Sequence, residues 1–134
     1  VSGFSASLRA QIAYTEQQTQ TNEGMQLVIA ANYGGRGDIT QAARQLCKKV
    51  IEGDLSIEQI DENAISDPLY LSDLPDPDLI IRTSGEERIS NFLLWQAAYS
   101  EFVFLPVLWP DFNADDFQYA IDLYQQRQRR YGGR

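Results

Sequence analysis

The amino-acid sequence predicts an α/β protein, a parallel sheet with flanking helices. Strand-like runs occupy residues 25–31, 79–82 and 102–108, and the first is nearly continuously apolar, the pattern of a strand covered on both faces. The stretches between and after them repeat apolar residues every three to four positions, most regularly at Ile39, Ala42, Ala43, Leu46, Cys47, Val50 and Ile51, as amphipathic helices do. Strands that alternate with helices connect through right-handed βαβ units, which require parallel pairing. Nothing in the 134 residues repeats or reads as a linker, so a single α/β domain over 1–134 is expected.

Each element has a local reason. Leu8, Ile12 and Ala13 space a helix over residues 5–19, and the polar turn 21–24 ends at Gly24. The apolar run 25–31 leads into a turn, Asn32-Tyr33-Gly34-Gly35-Arg36. Asp38 is placed to cap the next helix, with Gln41 at the capping-box position and Gly53 as its stop. Ser56 and Gln59 form a second capping box opening a short helix, and Asp67-Pro68 and Pro75-Asp76-Pro77 break the chain into loops. After the strand 79–82, Ser90 is expected to cap a helix over 91–99. Pro106 makes the run 102–108 irregular or places it near an edge. Asn113 caps the last helix, with Asp115 and Asp116 in its first turn. Phe117, Ala120, Ile121 and Tyr124 form its apolar face, and Arg127, Arg129 and Arg130 suit its negative end.

Composition excludes several classes. A net charge of −8 argues against nucleic acid as a partner, because binding it requires a basic face to neutralise phosphates. Local arginines still allow a small anionic ligand. The chain has no histidine and one cysteine, so Ser-His-Asp and Cys-His catalysis and the common zinc sites are absent, and no intrachain disulfide exists. Cys47 sits at an apolar helical position and reads as a small core residue, in keeping with a reducing cytosol. No run has the length of a membrane span, and none reads as a signal peptide.

The densest chemistry lies in the nine residues Arg82-Thr83-Ser84-Gly85-Glu86-Glu87-Arg88-Ile89-Ser90. Guanidinium groups hold phosphate oxygens through paired charge-assisted hydrogen bonds. A helix starting after Ser90 would add backbone N–H groups and a positive dipole end. Strand end, arginine-bearing turn and helix start together make a seat for a pyrophosphate group. The plain alternative is a solvated surface loop, since short motifs also match by chance. Open α/β sheets bind ligands beyond the C-terminal ends of their strands. Arg82 and the Asn32–Arg36 turn both follow expected strands, so one rim is expected to hold them.

These residues resemble the signature of the cis-prenyltransferase family, its bacterial undecaprenyl diphosphate synthases in particular. Asn32-Tyr33-Gly34-Gly35-Arg36, Glu101, Leu108-Trp109-Pro110-Asp111-Phe112 and Arg129-Arg130-Tyr131-Gly132-Gly133 agree in the family's order, and the similarity runs from about Ser7 to the end. The family's early Asp-Gly-Asn-x-Arg segment, which binds the allylic diphosphate and contributes a metal-binding aspartate, has no counterpart. The resemblance therefore implies the C-terminal half of a cis-prenyltransferase-type fold, part of a longer synthase and inactive alone. It implies condensation of isopentenyl diphosphate with an allylic diphosphate into a cis-polyprenyl diphosphate, undecaprenyl diphosphate in the branch it resembles, a carrier lipid for cell-wall synthesis. Mg2+ is the implied cofactor and a homodimer the implied assembly. The implied location is cytoplasmic and peripheral to the membrane, with transient membrane contact for the lipid product.

Site residues follow position by position. The resemblance assigns Arg82, Arg88 and Ser90 to the diphosphate of isopentenyl diphosphate, with Asn32 and Arg36 as further substrate-binding candidates. It assigns Glu101 to magnesium, and Arg130 and Gly132 to a motif that reaches the partner subunit's active site. No residue is assigned as a general acid or base. Plainer readings stand beside these: a strand-end salt bridge for Arg82, helix capping for Ser90, a solvated acid for Glu101, a structural role for Arg36 and a solvated basic tail for Arg130. Glu86 is placed to orient Arg82 or Arg88. Glu87 departs from the histidine that related synthases can carry and receives no role. Phe92, Leu93, Leu94 and Trp95 read as helix core before they read as walls for a prenyl chain, and Phe102, Phe104, Leu108 and Trp109 as core or subunit interface. Asp115-Asp116 is followed by Phe117-Gln118-Tyr119, so the DDxxD motif of the trans-prenyltransferases is missing. The rival reading is a non-catalytic α/β phosphate-binding or dimerisation module.

Overall fold

The computed structural model describes residues 3–127, and its contacts divide the chain into two units, residues 1–33 and 34–134. In the first unit Ser5 Oγ accepts the Leu8 N–H and opens α1 (Ala6–Thr19), none of whose residues is buried. The run 25–31, expected as a buried strand, is no strand. Met25, Leu27 and Ile29 are 91%, 75% and 81% exposed. A strand exists only when a neighbour takes up its backbone N–H and C=O groups, and no described residue pairs with this run in a sheet.

In the second unit α2 (Gly35–Glu52) starts three residues before the expected cap. Gly35 and Arg36, read as part of a turn, form its first turn, and Asp38 lies inside the helix rather than at its cap. The Asp38 side chain is buried and faces away from its own helix start: Oδ1 accepts the Tyr70 N–H at 2.9 Å and Oδ2 accepts Gln96 Nε2 at 3.3 Å. The buried stripe of α2 is narrow, Gly35, Asp38, Ala42 and Leu46. Cys47, one position outside it, is exposed rather than core. Gly53 ends the helix at φ 80°, a left-handed conformation that glycine adopts freely, and the Gly53 and Asp54 N–H groups donate to carbonyls of the last turn. The Ser56–Gln59 capping box forms around a 3-10 turn, Ile57–Gln59, and α3 (Glu62–Ser66) follows.

β1 (Leu79–Arg82) and β2 (Glu101–Phe104) pair in parallel, with Leu79 opposite Glu101 and Arg82 opposite Phe104. β2 stops before Pro106, as an N–H-less residue requires. Side chains alternate across this two-stranded sheet. Leu79, Ile81, Val103 and Leu105 join Ala120 and Leu123 of α4 (Ala114–Gln126) in the apolar core. Ile80, Arg82, Phe102 and Phe104 belong to the opposite face. α4 opens with the cap expected of it, and the structure completes it as a capping box: Asn113 Oδ1 accepts the Asp115 and Asp116 N–H groups, and Asp116 Oδ2 accepts the Asn113 N–H. Arg127 closes α4; Arg129, Arg130 and Gly132 lie outside the described residues.

The expected helix over 91–99 is a chain of turns. Ser90, Asn91 and Leu93 have φ of 50°, 66° and 45°, left-handed values no right-handed helix accommodates. Ser90 is therefore not a helix cap. The physical reason is a competing set of bonds: the Asn91 carbonyl accepts the Gly35 N–H at 2.7 Å, and Asn91 Oδ1 accepts the Arg36 N–H at 2.8 Å.

Candidate functional site

Because Ile80 and Arg82 share the sheet face turned away from α4, the return of the chain through residues 88–92 closes a cleft over that face. Its volume is about 240 Å³, and Ile80, Ile81, Arg82, Arg88, Ile89, Ser90, Phe92 and Phe102 line it. The turn that makes this possible hugs β2's continuation. Ser84 and Gly85 donate their N–H groups to the Val107 and Leu105 carbonyls at 2.8 and 2.9 Å, and both have positive φ.

Within the cleft, Arg82 Nη1 donates to the Arg88 carbonyl. That bond uses one of five guanidinium N–H groups and ties the strand-borne arginine to the returning loop. The Arg88 guanidinium meets the Glu86 carboxylate, so Glu86 pairs with Arg88 rather than with Arg82. Arg88 is well exposed, and an ion pair of this kind contributes about 0–1 kcal/mol. A phosphate group competes with it readily.

Three of the expected site residues, Arg82, Arg88 and Ser90, thus line one cleft. Arg36 is exposed on the first turn of α2, its backbone bonded to the residue next to Ser90. Asn32 is exposed at φ 59° in the first unit. Glu101 opens β2 at the other end of the strand pair from Arg82, three residues or about 10 Å of strand away. There its Oε2 accepts from Arg127 Nη1 at 2.7 Å. Arg130 and Gly132 fall outside the described residues. Among the described residues no three metal-ligating side chains cluster.

The apolar wall contains residues that the spacing alone reads differently. Phe92 lines the cleft and is 41% exposed rather than buried in a helix core, and Phe102 stacks on Phe104 at 6.0 Å along the cleft face. Trp95 is half-buried and donates Nε1 to Ser66 Oγ at 2.9 Å, away from the cleft lining. Asn91 and Arg127 were legible only as a helical residue and a dipole partner. The signal for Asn91 was its type, since asparagine favours caps and left-handed positions over helix interiors.

Comparison with known proteins decides the family. Residues 1–132 match the prenyltransferase family model described as "Putative undecaprenyl diphosphate synthase". The chain belongs to this prenyltransferase family. It is 53% identical over 133 residues to the ditrans,polycis-undecaprenyl-diphosphate synthase of Pasteurella multocida, covering 99% of this chain and 55% of that protein. To the isoprenyl transferase of Bacillus subtilis it is 57% identical over 127 residues, covering 95% and 48%. The crystal structure of lavandulyl diphosphate synthase from Lavandula x intermedia, a complex with dimethylallyl diphosphate, superposes with a TM-score of 0.92 at 42% identity, covering 98% of this chain and 56% of that one. The α/β fold with its parallel strands and flanking helices is thus that of solved cis-prenyltransferases. The chain spans about half the length of the curated relatives it matches. No helix among the described residues is long and apolar enough to cross a membrane.

Proposed function

We propose that this chain supplies the isopentenyl diphosphate site of a cis-prenyltransferase. One observation carries the reading: a single cleft combines two arginines and a serine with Ile80, Ile89, Phe92 and Phe102. Guanidinium and hydroxyl donors suit a diphosphate, and the adjoining apolar wall suits a short hydrocarbon.

In the proposed reaction the C1–O bond of an allylic diphosphate breaks and pyrophosphate leaves with the electron pair. The double bond of isopentenyl diphosphate forms the new carbon–carbon bond at C1. Loss of a proton from the isopentenyl unit leaves the cis double bond. Arg82, fixed to the Arg88 carbonyl, and Arg88 itself hold the diphosphate, Ser90 adds a hydroxyl donor, and Phe92 and Phe102 flank the hydrocarbon. Positioning of this kind is a major source of rate in two-substrate reactions.

Magnesium is the proposed cofactor, an ion that takes few protein ligands and shares substrate phosphates. The described residues do not make a metal centre on their own, and Glu101, held by Arg127, offers one carboxylate to such an ion. Asn32, Arg36, Arg130 and Gly132 are proposed as further substrate contacts, the last two across a homodimer. Undecaprenyl diphosphate is the proposed product, made in the cytoplasm with transient membrane contact.

The test is a graft. This chain replaces the matching residues of the Pasteurella multocida relative, and the product is incubated with farnesyl diphosphate, labelled isopentenyl diphosphate and Mg2+. Labelled polyprenyl diphosphate is expected. A folded graft that makes none at any magnesium concentration overturns the reading and leaves the non-catalytic module.

A further inference from the structure

We infer that Asn91 is a positioning residue: by bonding the start of α2 it sets the place of Arg88 and Ser90 in the cleft. Asn91 follows Ser90 directly, yet its carbonyl and its side-chain oxygen both bond to α2. Its carbonyl accepts the Gly35 N–H and its Oδ1 the Arg36 N–H, two of the helix donors that otherwise lack partners. The approach is close enough to dictate the residues opposite. A Cβ on Gly34 would lie 2.7 Å from Asn91 Nδ2, and a Cβ on Gly35 would lie 2.8 Å from Leu94 Cγ and 2.9 Å from the Leu94 backbone nitrogen. A Cβ on Gly37, in the same turn of α2, meets nothing.

This contact accounts for the backbone of the loop. Asn91 is held at φ 66° between Ser90 at 50° and Leu93 at 45°, conformations that need surrounding bonds to persist. The glycine pair lets the loop lie against the helix, and the two bonds hold it there. Arg88, three residues back, receives its position from the same anchor, and its carbonyl in turn receives Arg82 Nη1. The chain of contacts runs from α2 through Asn91 to both arginines of the cleft. A diphosphate bound by two forks is sensitive to their spacing, so a loosened anchor reads out as weaker binding.

The inference rests on the diphosphate reading of the cleft, and its test separates the two. The chain is titrated with inorganic pyrophosphate by calorimetry, and the amide shifts of residues 88–90 are recorded by NMR without ligand. Asn91→Gly keeps the left-handed backbone and removes Oδ1; Gly35→Ala adds the clashing Cβ to a good helix former; Gly37→Ala is the matched control. Asn91→Gly and Gly35→Ala are each expected to weaken pyrophosphate binding at least fivefold and to move the 88–90 amides, while Gly37→Ala does neither. Wild-type affinity and unmoved amides in both variants overturn the inference. Should Gly35→Ala fail to fold, Asn91→Gly decides alone. If the unaltered chain binds no pyrophosphate, the cleft reading falls, and the ligand-free amide shifts still decide whether Asn91 positions the loop.

Discussion

Residues 91–100 and residues 113–126 begin alike and end differently. Each opens with an asparagine and continues with aromatic and aliphatic residues at helical spacing. Asn113 turns its Oδ1 onto the N–H groups of Asp115 and Asp116, two and three residues ahead, and α4 follows. Asn91 turns its Oδ1 onto the N–H group of Arg36, a residue 55 positions away, and no helix follows. The same side-chain chemistry caps its own helix in one place and another helix in the other. A helix nucleus is costly, so whichever acceptor wins the asparagine decides the local structure.

The largest effect should fall on the helical region. Leu105 is buried in the core under α4, and Leu105→Ala is expected to lower stability by about 2–5 kcal/mol, measured by urea denaturation. A loss well under 1 kcal/mol would show that α4 does not depend on this floor.

Function should follow the turn region instead. Arg82→Ala and Arg88→Ala are each expected to weaken pyrophosphate binding roughly tenfold to a hundredfold, the loss of charge-assisted bonds worth about 1.5–3 kcal/mol. Lysine should restore only part of it, since it lacks the planar fork. Calorimetry on both variants, with folding checked by circular dichroism, measures this, and unchanged affinity in both would remove the phosphate assignment.

Asn113→Ala sharpens the contrast with Asn91. It should cost about 0.5–2 kcal/mol of stability and leave pyrophosphate affinity alone, because its bonds stay with α4 and the turn just before it. A matching loss of affinity would mean that the two asparagines do not divide stability from positioning.

The smallest effect should come from the apolar run that found no partner. Ile29→Ala is expected to change stability by no more than about 0.5 kcal/mol, as at other exposed positions. A loss near that of Leu105→Ala would show that the run is covered in solution.

Legibility in the sequence followed the distance between partners. The Ser56–Gln59 box, the Asn113 cap, the stop at Gly53 and β1 at 79–82 are readable because their donors, acceptors or punctuating residues lie within a few positions. Arg82, Arg88 and Ser90 are readable as phosphate candidates from their type. That they share a cleft follows from sheet alternation and from the loop folding back, and Glu86 chose Arg88 only when the loop closed. Asp38 shows the limit in the other direction. As a helix cap it would need one neighbour three residues on; as a buried anchor it needs Tyr70 and Gln96, which no local pattern announces.

By itself, then, the sequence determined the α/β class, the residue types that make the 82–90 segment a phosphate candidate, and the caps that close on themselves. The tertiary structure decided which apolar runs became strands, since a ladder needs a second strand to accept its hydrogen bonds. It also decided where Asn91 and Asp38 place their oxygens, because a polar side chain bonds the nearest unpaired donor in space, and folding alone brings residues 35–38 beside residues 70 and 91–96.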